Sequence, residues 1–322
     1  MRPRRGGRAA PPGARGTGRL RSAPAPPSAS PSRRRSRTLP RGGARGDAAL
    51  RFGTSGIPRT SARPDTVHGI ARARQLGLDH LEMAWVNGVR MGAAAAERIR
   101  EAAVAHGVSL TAHAPYFVNL CGAPEVVARS LARLVETGRL GARCGAGSFC
   151  FHAGFYGALG AEEADRRVRE ALAAVTDRLA GLGARIDVRP ELTGKPTQVG
   201  SYDEILGWSA ALEGVAPCLD FSHQYARSGG GFNRYEDFAT MLEGVRDRLG
   251  PGALGRLHVH VSGIEYGPRG ERRHVPLADT RFRWRDLLRA LKDLRVAGWV
   301  VCESPAMEDD ALLLQRTYRR MR

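Results

Sequence analysis

Nine histidines occur in this 322-residue chain, and six of them stand near one another in type and setting: His113, His152, His223, His258, His260 and His274. Each falls at or just beyond the end of a short apolar segment, except His274, which lies in a following loop. Glu191, Asp220 and Glu303 end three further segments of the same kind. Imidazole and carboxylate donors together suit Zn(II), Mn(II) or Fe(II), and no cysteine stands at these positions, which argues against a structural zinc site there. Three carboxylates and up to six imidazoles exceed what one tetrahedral ion requires, so several ions are expected. Taken singly, each residue has a plainer explanation: a buried His is often a satisfied core residue, and an Asp at a strand end is often a helix cap. The ring as a whole carries the argument.

A ring needs a scaffold that brings eight segments to one face. Strand-like runs occur at Leu50–Thr54, His80–Trp85, Ser109–His113, Ser148–His152, Arg185–Glu191, Val215–Asp220, Arg256–Val261 and Trp299–Glu303. Between them lie stretches with apolar residues three and four apart, such as Val127, Leu131 and Leu134, or Phe238, Met241, Leu242 and Val245, the spacing of a helix that covers a sheet. Eight β-α units with no second block of different character predict an α/β fold, a single (β/α)8 TIM barrel over residues 47–322, in which catalytic groups sit at the C-terminal ends of the strands. An open α/β sheet is the alternative. His258 and His260 are two apart in one strand and so share a face.

The net charge of +18 is unevenly spread. Residues 1–46 hold thirteen arginines and no acidic residue, which leaves residues 47–322 with 37 basic and 32 acidic side chains, a balance of +5. This Arg-, Pro- and Gly-rich tail lacks the apolar side chains that would offset its ordering entropy, and it is expected to be disordered. It reads as a basic arm or a targeting peptide, or as a non-functional extension. Five scattered cysteines with no CxxC spacing predict buried thiols in a reducing compartment. With no apolar run long enough to span a bilayer, a soluble, cytoplasmic monomer is expected.

The segments AHAPYFVNL (112–120), FHAG (151–154), PELTG (190–194), CLDFSH (218–223), LHVHVSG (257–263) and CESP (302–305), in this order, resemble the successive metal-binding motifs of the endonuclease IV family of abasic-site nucleases, within the xylose isomerase-like superfamily. The resemblance covers roughly residues 50–318. It implies a trinuclear zinc site, with Mn or Fe as alternatives: His113 and His152 on one metal, Glu191 bridging and catalytic, Asp220, His258 and Glu303 on the second, and His223 and His274 on the third. It further implies incision of duplex DNA 5′ to an abasic site. Tyr116 matches a Tyr of the family that stacks in the gap at the damaged nucleotide, its plainer reading being an aromatic lid beside Phe117. In the loop VNGVR, Asn87 and Arg90 are candidates for contact with the DNA backbone, or solvated loop residues.

One departure bears on the third ion. The family places an Asp two residues before the last His, and here that position is Arg272. Glu271, one residue earlier, is the substitute if the loop shifts, and His260 is a further candidate ligand or supporting group. Sugar isomerases and epimerases of the same superfamily, which need fewer metal ligands, are the alternative function. A barrel that only binds nucleic acid is a third reading.

Overall fold

The computed structural model describes residues 49–322, so the expectation for the 1–46 tail lies outside the described residues. Eight parallel strands form the barrel: β1 (Leu50–Ser55), β2 (His80–Ala84), β3 (Ser109–His113), β4 (Ala146–Phe151), β5 (Asp187–Pro190), β6 (Cys218–Asp220), β7 (Leu257–Val261) and, last in the chain, β10 (Gly298–Cys302). Their order is β5-β4-β3-β2-β1-β10-β7-β6. Parallel bridges from Val188 to Val215 and from Glu191 to Cys218 close the ring between β5 and β6. The closed (β/α)8 TIM barrel is therefore the fold, and the open sheet is not.

The regular part of β6 is shorter than its apolar run because Pro217 has no N–H to give to a neighbouring strand. Helices α1 (Thr66–Leu76), α2 (Ala93–His106), α3 (Pro124–Cys144), α4 (Ala161–Gly181), α5 (Tyr202–Ala211), α7 (Tyr235–Leu249), α8 (Trp284–Asp293) and α9 (Glu308–Arg320) surround the sheet. In α3, Pro124 opens the first turn and Gly145 ends the helix at φ 84°, a left-handed turn that favours glycine. Leu134 and Leu140 on its inner face are fully buried. Each such side chain contributes about 1.5–3 kcal/mol on leaving water.

Two elements have no counterpart in the sequence-based reading. Helix α6 (Phe221–Arg227) starts immediately after β6, and an antiparallel hairpin, β8 (Gly263–Gly267) with β9 (Gly270–Val275), rises from the end of β7 and packs against it. Both stand at the C-terminal face of the barrel, where the candidate ligands gather.

Candidate metal centre

Inward-facing residues alternate along each strand, so the last of them on each strand project into the mouth. His113 ends β3, His152 and Glu191 directly follow β4 and β5, Asp220 ends β6, His260 sits near the end of β7, and Glu303 follows β10. Three groups of donor atoms result, each with its members within 4.8 Å of one another: His113, His152 and Glu191; Glu191, Asp220, His260 and Glu303; and Asp220, His223 and His274.

Glu191 links the first two groups. Its Oε2 lies 3.2 Å from His113 Nε2 and 3.3 Å from His152 Nε2, while its Oε1 lies 3.2 Å from His260 Nδ1 and 3.4 Å from His223 Nδ1. Backbone carbonyls aim two of the rings: His113 Nδ1, the nitrogen turned away from Glu191, donates to the Ala114 carbonyl at 2.8 Å, and His223 Nδ1 donates to that of Leu192 at 2.9 Å, which leaves its Nε2 facing Glu271 and His274. Such bonds fix the face that a ligating imidazole presents.

Asp220 links the second and third groups. Its Oδ1 accepts the His223 backbone N–H at 2.7 Å and caps α6, whereas its Oδ2 is buried and has no hydrogen-bond partner. The residue is thus a helix cap with one oxygen and an orphaned donor atom with the other. An unpartnered buried carboxylate oxygen amid imidazoles fits a divalent cation, and the all N and O donor set suits Zn(II), Mn(II) or Fe(II).

The electrostatics point the same way. Burial opposes ionisation of Glu191, but the imidazoles of His152, His260 and His113 outweigh it and hold its carboxyl well below the usual range. Burial likewise disfavours charge on His113, yet its bond to Glu191 raises it to about 9. For Asp220, burial is the main cause of a raised carboxyl. Buried carboxylates gathered at one place call for compensating positive charge, which a divalent cation supplies, and an imidazole that ligates it does so without its proton.

One placement differs from the sequence-based assignment. His258, expected with Asp220 and Glu303, lies one inward rung deeper, where its Nε2 is 2.9 Å from Glu82 Oε2. His260 stands in its place, with Nδ1 3.4 Å from Glu303 Oε1. The two share a face, as their spacing requires, but β7 runs toward the mouth, so the later residue reaches it.

A bulge sets Glu271, and not Arg272, beside His274. In the hairpin Glu265 pairs with Arg273 and Tyr266 with Glu271, which leaves Arg272 without an opposite residue. The extra residue returns Glu271 to the face of His274: its carboxylate lies 3.6 Å from His223 Nε2 and 3.8 Å from His274 Nε2, while Arg272 is exposed. Gly194 permits this approach, since a Cβ there would sit 2.7 Å from Glu271 Cβ and 3.0 Å from the His223 ring.

Tyr116 is 60% exposed at the rim, its ring edge-on to His113 at 5.4 Å, beside the equally open Phe117. Its backbone N–H donates to the Val86 carbonyl at 3.3 Å and so joins the loop that carries the exposed Asn87 and Arg90. Glu82 was not singled out from the sequence. The signal was there: a carboxylate in the middle of the buried strand HLEMA.

Residues 70–322 match the family described as xylose isomerase-like TIM barrel. An uncharacterised protein of Methanocaldococcus jannaschii is 39% identical over 273 residues, covering 84% of this chain and 98% of that one. Among solved structures, endonuclease IV of Thermus thermophilus is similar with a TM-score of 0.66 and 23% identity, covering 84% of this chain and 97% of its own. A D-tagatose 3-epimerase-like protein is similar with a TM-score of 0.63 and 14% identity, at 84% and 96% coverage. D-psicose 3-epimerase of Clostridium cellulolyticum has a TM-score of 0.59 and 15% identity, also at 84% and 96%. The structural likenesses carry the fold alone. Together with the eight-stranded closed barrel, the match across residues 70–322 means that this chain belongs to the xylose isomerase-like TIM barrel family.

Proposed function

We propose that this protein is a metal-dependent phosphodiester hydrolase of the endonuclease IV kind, which incises duplex DNA on the 5′ side of an abasic site. The observation that carries this reading is the sharing of ligands: Glu191 and Asp220 each belong to two of three adjoining donor groups. Such an arrangement suits two or three ions, zinc before manganese or iron, with His113 and His152 on one, His260, Asp220 and Glu303 on another, and His223 and His274 on the third. Divalent ions so held activate water near neutral pH and offset charge on the attacked phosphate and the leaving oxygen.

The chain's own residues do the rest. Glu191 holds two groups at a fixed spacing through its two oxygens, and its charge cannot be supplied by a neutral amide. Tyr116 and Phe117 offer exposed aromatic faces at the rim, which is where a gap in a base stack would meet the protein. Asn87 and Arg90 stand in the adjoining loop, where contacts to phosphate would set the position of a duplex without reading its sequence.

A second reading, a sugar isomerase or epimerase, is favoured by one observation: Glu191, Asp220, His260 and Glu303 alone make a complete set for one ion. His113, His152, His223 and His274 are surplus to it, and they tip the balance toward the nuclease. Incubation of the metal-loaded protein with a duplex carrying one abasic site, beside a panel of ketoses, decides between them. A single cut that leaves a 3′-hydroxyl is expected; untouched DNA with conversion of a ketose to its epimer or aldose would transfer the assignment to the sugar enzymes.

A further inference from the structure

Strands β4, β6 and β7 each direct two successive inward residues along the barrel axis. The outer members, His152, Asp220 and His260, belong to the mouth. The inner members are Cys150, Cys218 and His258, all fully buried. The interior of a (β/α)8 barrel is ordinarily packed with branched apolar side chains, so thiols and imidazoles at one level require a reason.

Cys150, Cys218, His258 and His260 offer donor atoms that all lie within 4.8 Å of one another. His258 Nδ1 is 3.2 Å from Ser148 Oγ, which fixes its ring. Its Nε2 is fully buried with no hydrogen-bond partner, although Glu82 Oε2 lies 2.9 Å away out of line. Cys150 Sγ is 3.7 Å from His260 Nε2. Sulfur and nitrogen bound to one tetrahedral zinc ion stand about 3.5 Å apart, from Zn–S and Zn–N lengths of about 2.3 and 2.05 Å.

We propose that Cys150, Cys218, His258 and His260 form a second, closed metal site beneath the mouth, for a thiophilic divalent ion such as Zn(II). Four protein donors leave no open position, so this site is structural: it ties β4, β6 and β7 together from inside the barrel. It is separate in chemistry from the mouth groups, none of which contains a thiol. His260 belongs to both levels, with Nδ1 toward Glu191 and Glu303 and Nε2 toward Cys150 and Glu82. With both levels loaded it is a bridging imidazolate that makes the depth of the barrel and its mouth depend on each other. The Glu82 carboxylate, held by the Thr111 hydroxyl at 2.9 Å, stays alongside as a hydrogen-bond acceptor and an anion that favours the cation.

Cobalt(II) titration of the metal-stripped full chain tests this independently of any reaction. The wild-type protein is expected to develop an intense near-ultraviolet thiolate-to-cobalt charge-transfer band. The Cys150→Ser/Cys218→Ser double variant loses the band and one equivalent of bound metal, whereas Glu271→Gln, whose carboxylate meets His223 and His274 and none of the four donors, keeps the band. Cobalt-loaded wild-type protein without that band overturns the proposal and leaves the cluster as a proton-sharing group around Glu82. That result needs no variant, so a double variant that fails to fold does not shield the idea.

Discussion

Within β5 the Arg189 guanidinium reaches back to groups at the starts of β5, β6 and β7 and is matched to acceptors almost group for group: Nη1 donates to the Pro217 carbonyl at 2.9 Å, Nη2 to Asp187 at 2.9 Å and to the Arg256 carbonyl at 2.8 Å, and only Nε lacks a partner. Two residues later, just past the end of the same strand, Glu191 has four imidazole nitrogens within 3.4 Å and shares each of them with another acid or carbonyl, or leaves it crowded against a second ring. Both charges are fully buried. Where each group has its own partner the charge serves the fold; where several groups compete for the same space, the arrangement serves something that binds there.

The largest effect expected from this contrast is at the mouth. Glu191→Gln should reduce incision by roughly a thousandfold or more, since charge aimed at a reacting centre is commonly worth that much. Circular dichroism should show the barrel still folded, and metal content should fall, since the carboxylate common to two donor groups is gone. Full incision with full metal content in the variant would mean that Glu191 belongs with Arg189.

Arg189→Met is the converse. Loss of a buried cation that bonds two carbonyls and a carboxylate should cost about 2–3 kcal/mol of unfolding free energy in denaturant titration. Asp187 retains Arg256 at 3.0 Å, which keeps the figure moderate. Metal content should not change, and a loss of metal would show that the floor and the mouth are coupled.

Gly194→Ala tests whether the bulged hairpin completes the third group. The added methyl displaces Glu271 and the His223 ring, and isothermal titration should show the weakest-bound ion loosened by about tenfold, the usual consequence of disturbing ligand support. Unchanged binding would remove Glu271 from the site.

The smallest effect concerns a purely structural carboxylate at the rim. Glu308 accepts the Arg59 and Thr60 backbone N–H groups at 3.0 and 2.9 Å and the Thr60 hydroxyl at 2.8 Å, and so ties the start of α9 to the loop after β1. Burial opposes its ionisation, but its own and the Thr60 amides outweigh it and lower its carboxyl. A lowered carboxyl contributes stability that is present above its unfolded value, about 4.3, and is lost as pH falls through the folded one. Glu308→Gln should cost about 1–2 kcal/mol at neutral pH. That difference from wild type should shrink in melting curves taken below about pH 4.

Much of this was legible before any coordinates. The β3 run, Ser109–His113, matches its strand residue for residue, and the other seven barrel strands lie within their apolar runs or differ from them by a residue or two at the ends. Period-two alternation assigns faces, and strand direction assigns ends. What it does not assign is depth. His258 and His260 carry the same type and face, and only the three-dimensional position of the rim separates the one that meets Glu303 from the one that meets Glu82. The hairpin escaped notice because GPRGERR is polar and glycine-bounded and so reads as a loop. The bulge that exchanges Arg272 for Glu271 has no signature at all, since a single extra residue inverts a face without altering composition. Cys150 and Cys218 were expected to be buried thiols, and all five cysteines are buried and free. That two of them face inward with imidazoles follows only from closure of the barrel.

The central claim, that the mouth is a shared polynuclear centre that hydrolyses a phosphodiester, is tested most directly by stripping the protein with a chelator and reloading it stepwise with Zn(II) or Mn(II) while incision of an abasic-site duplex is followed. The account predicts no incision by the stripped protein, and a single cut 5′ to the lesion that appears only as more than one ion is bound. Incision that survives complete metal removal, or fully loaded protein that leaves the duplex intact, would contradict it.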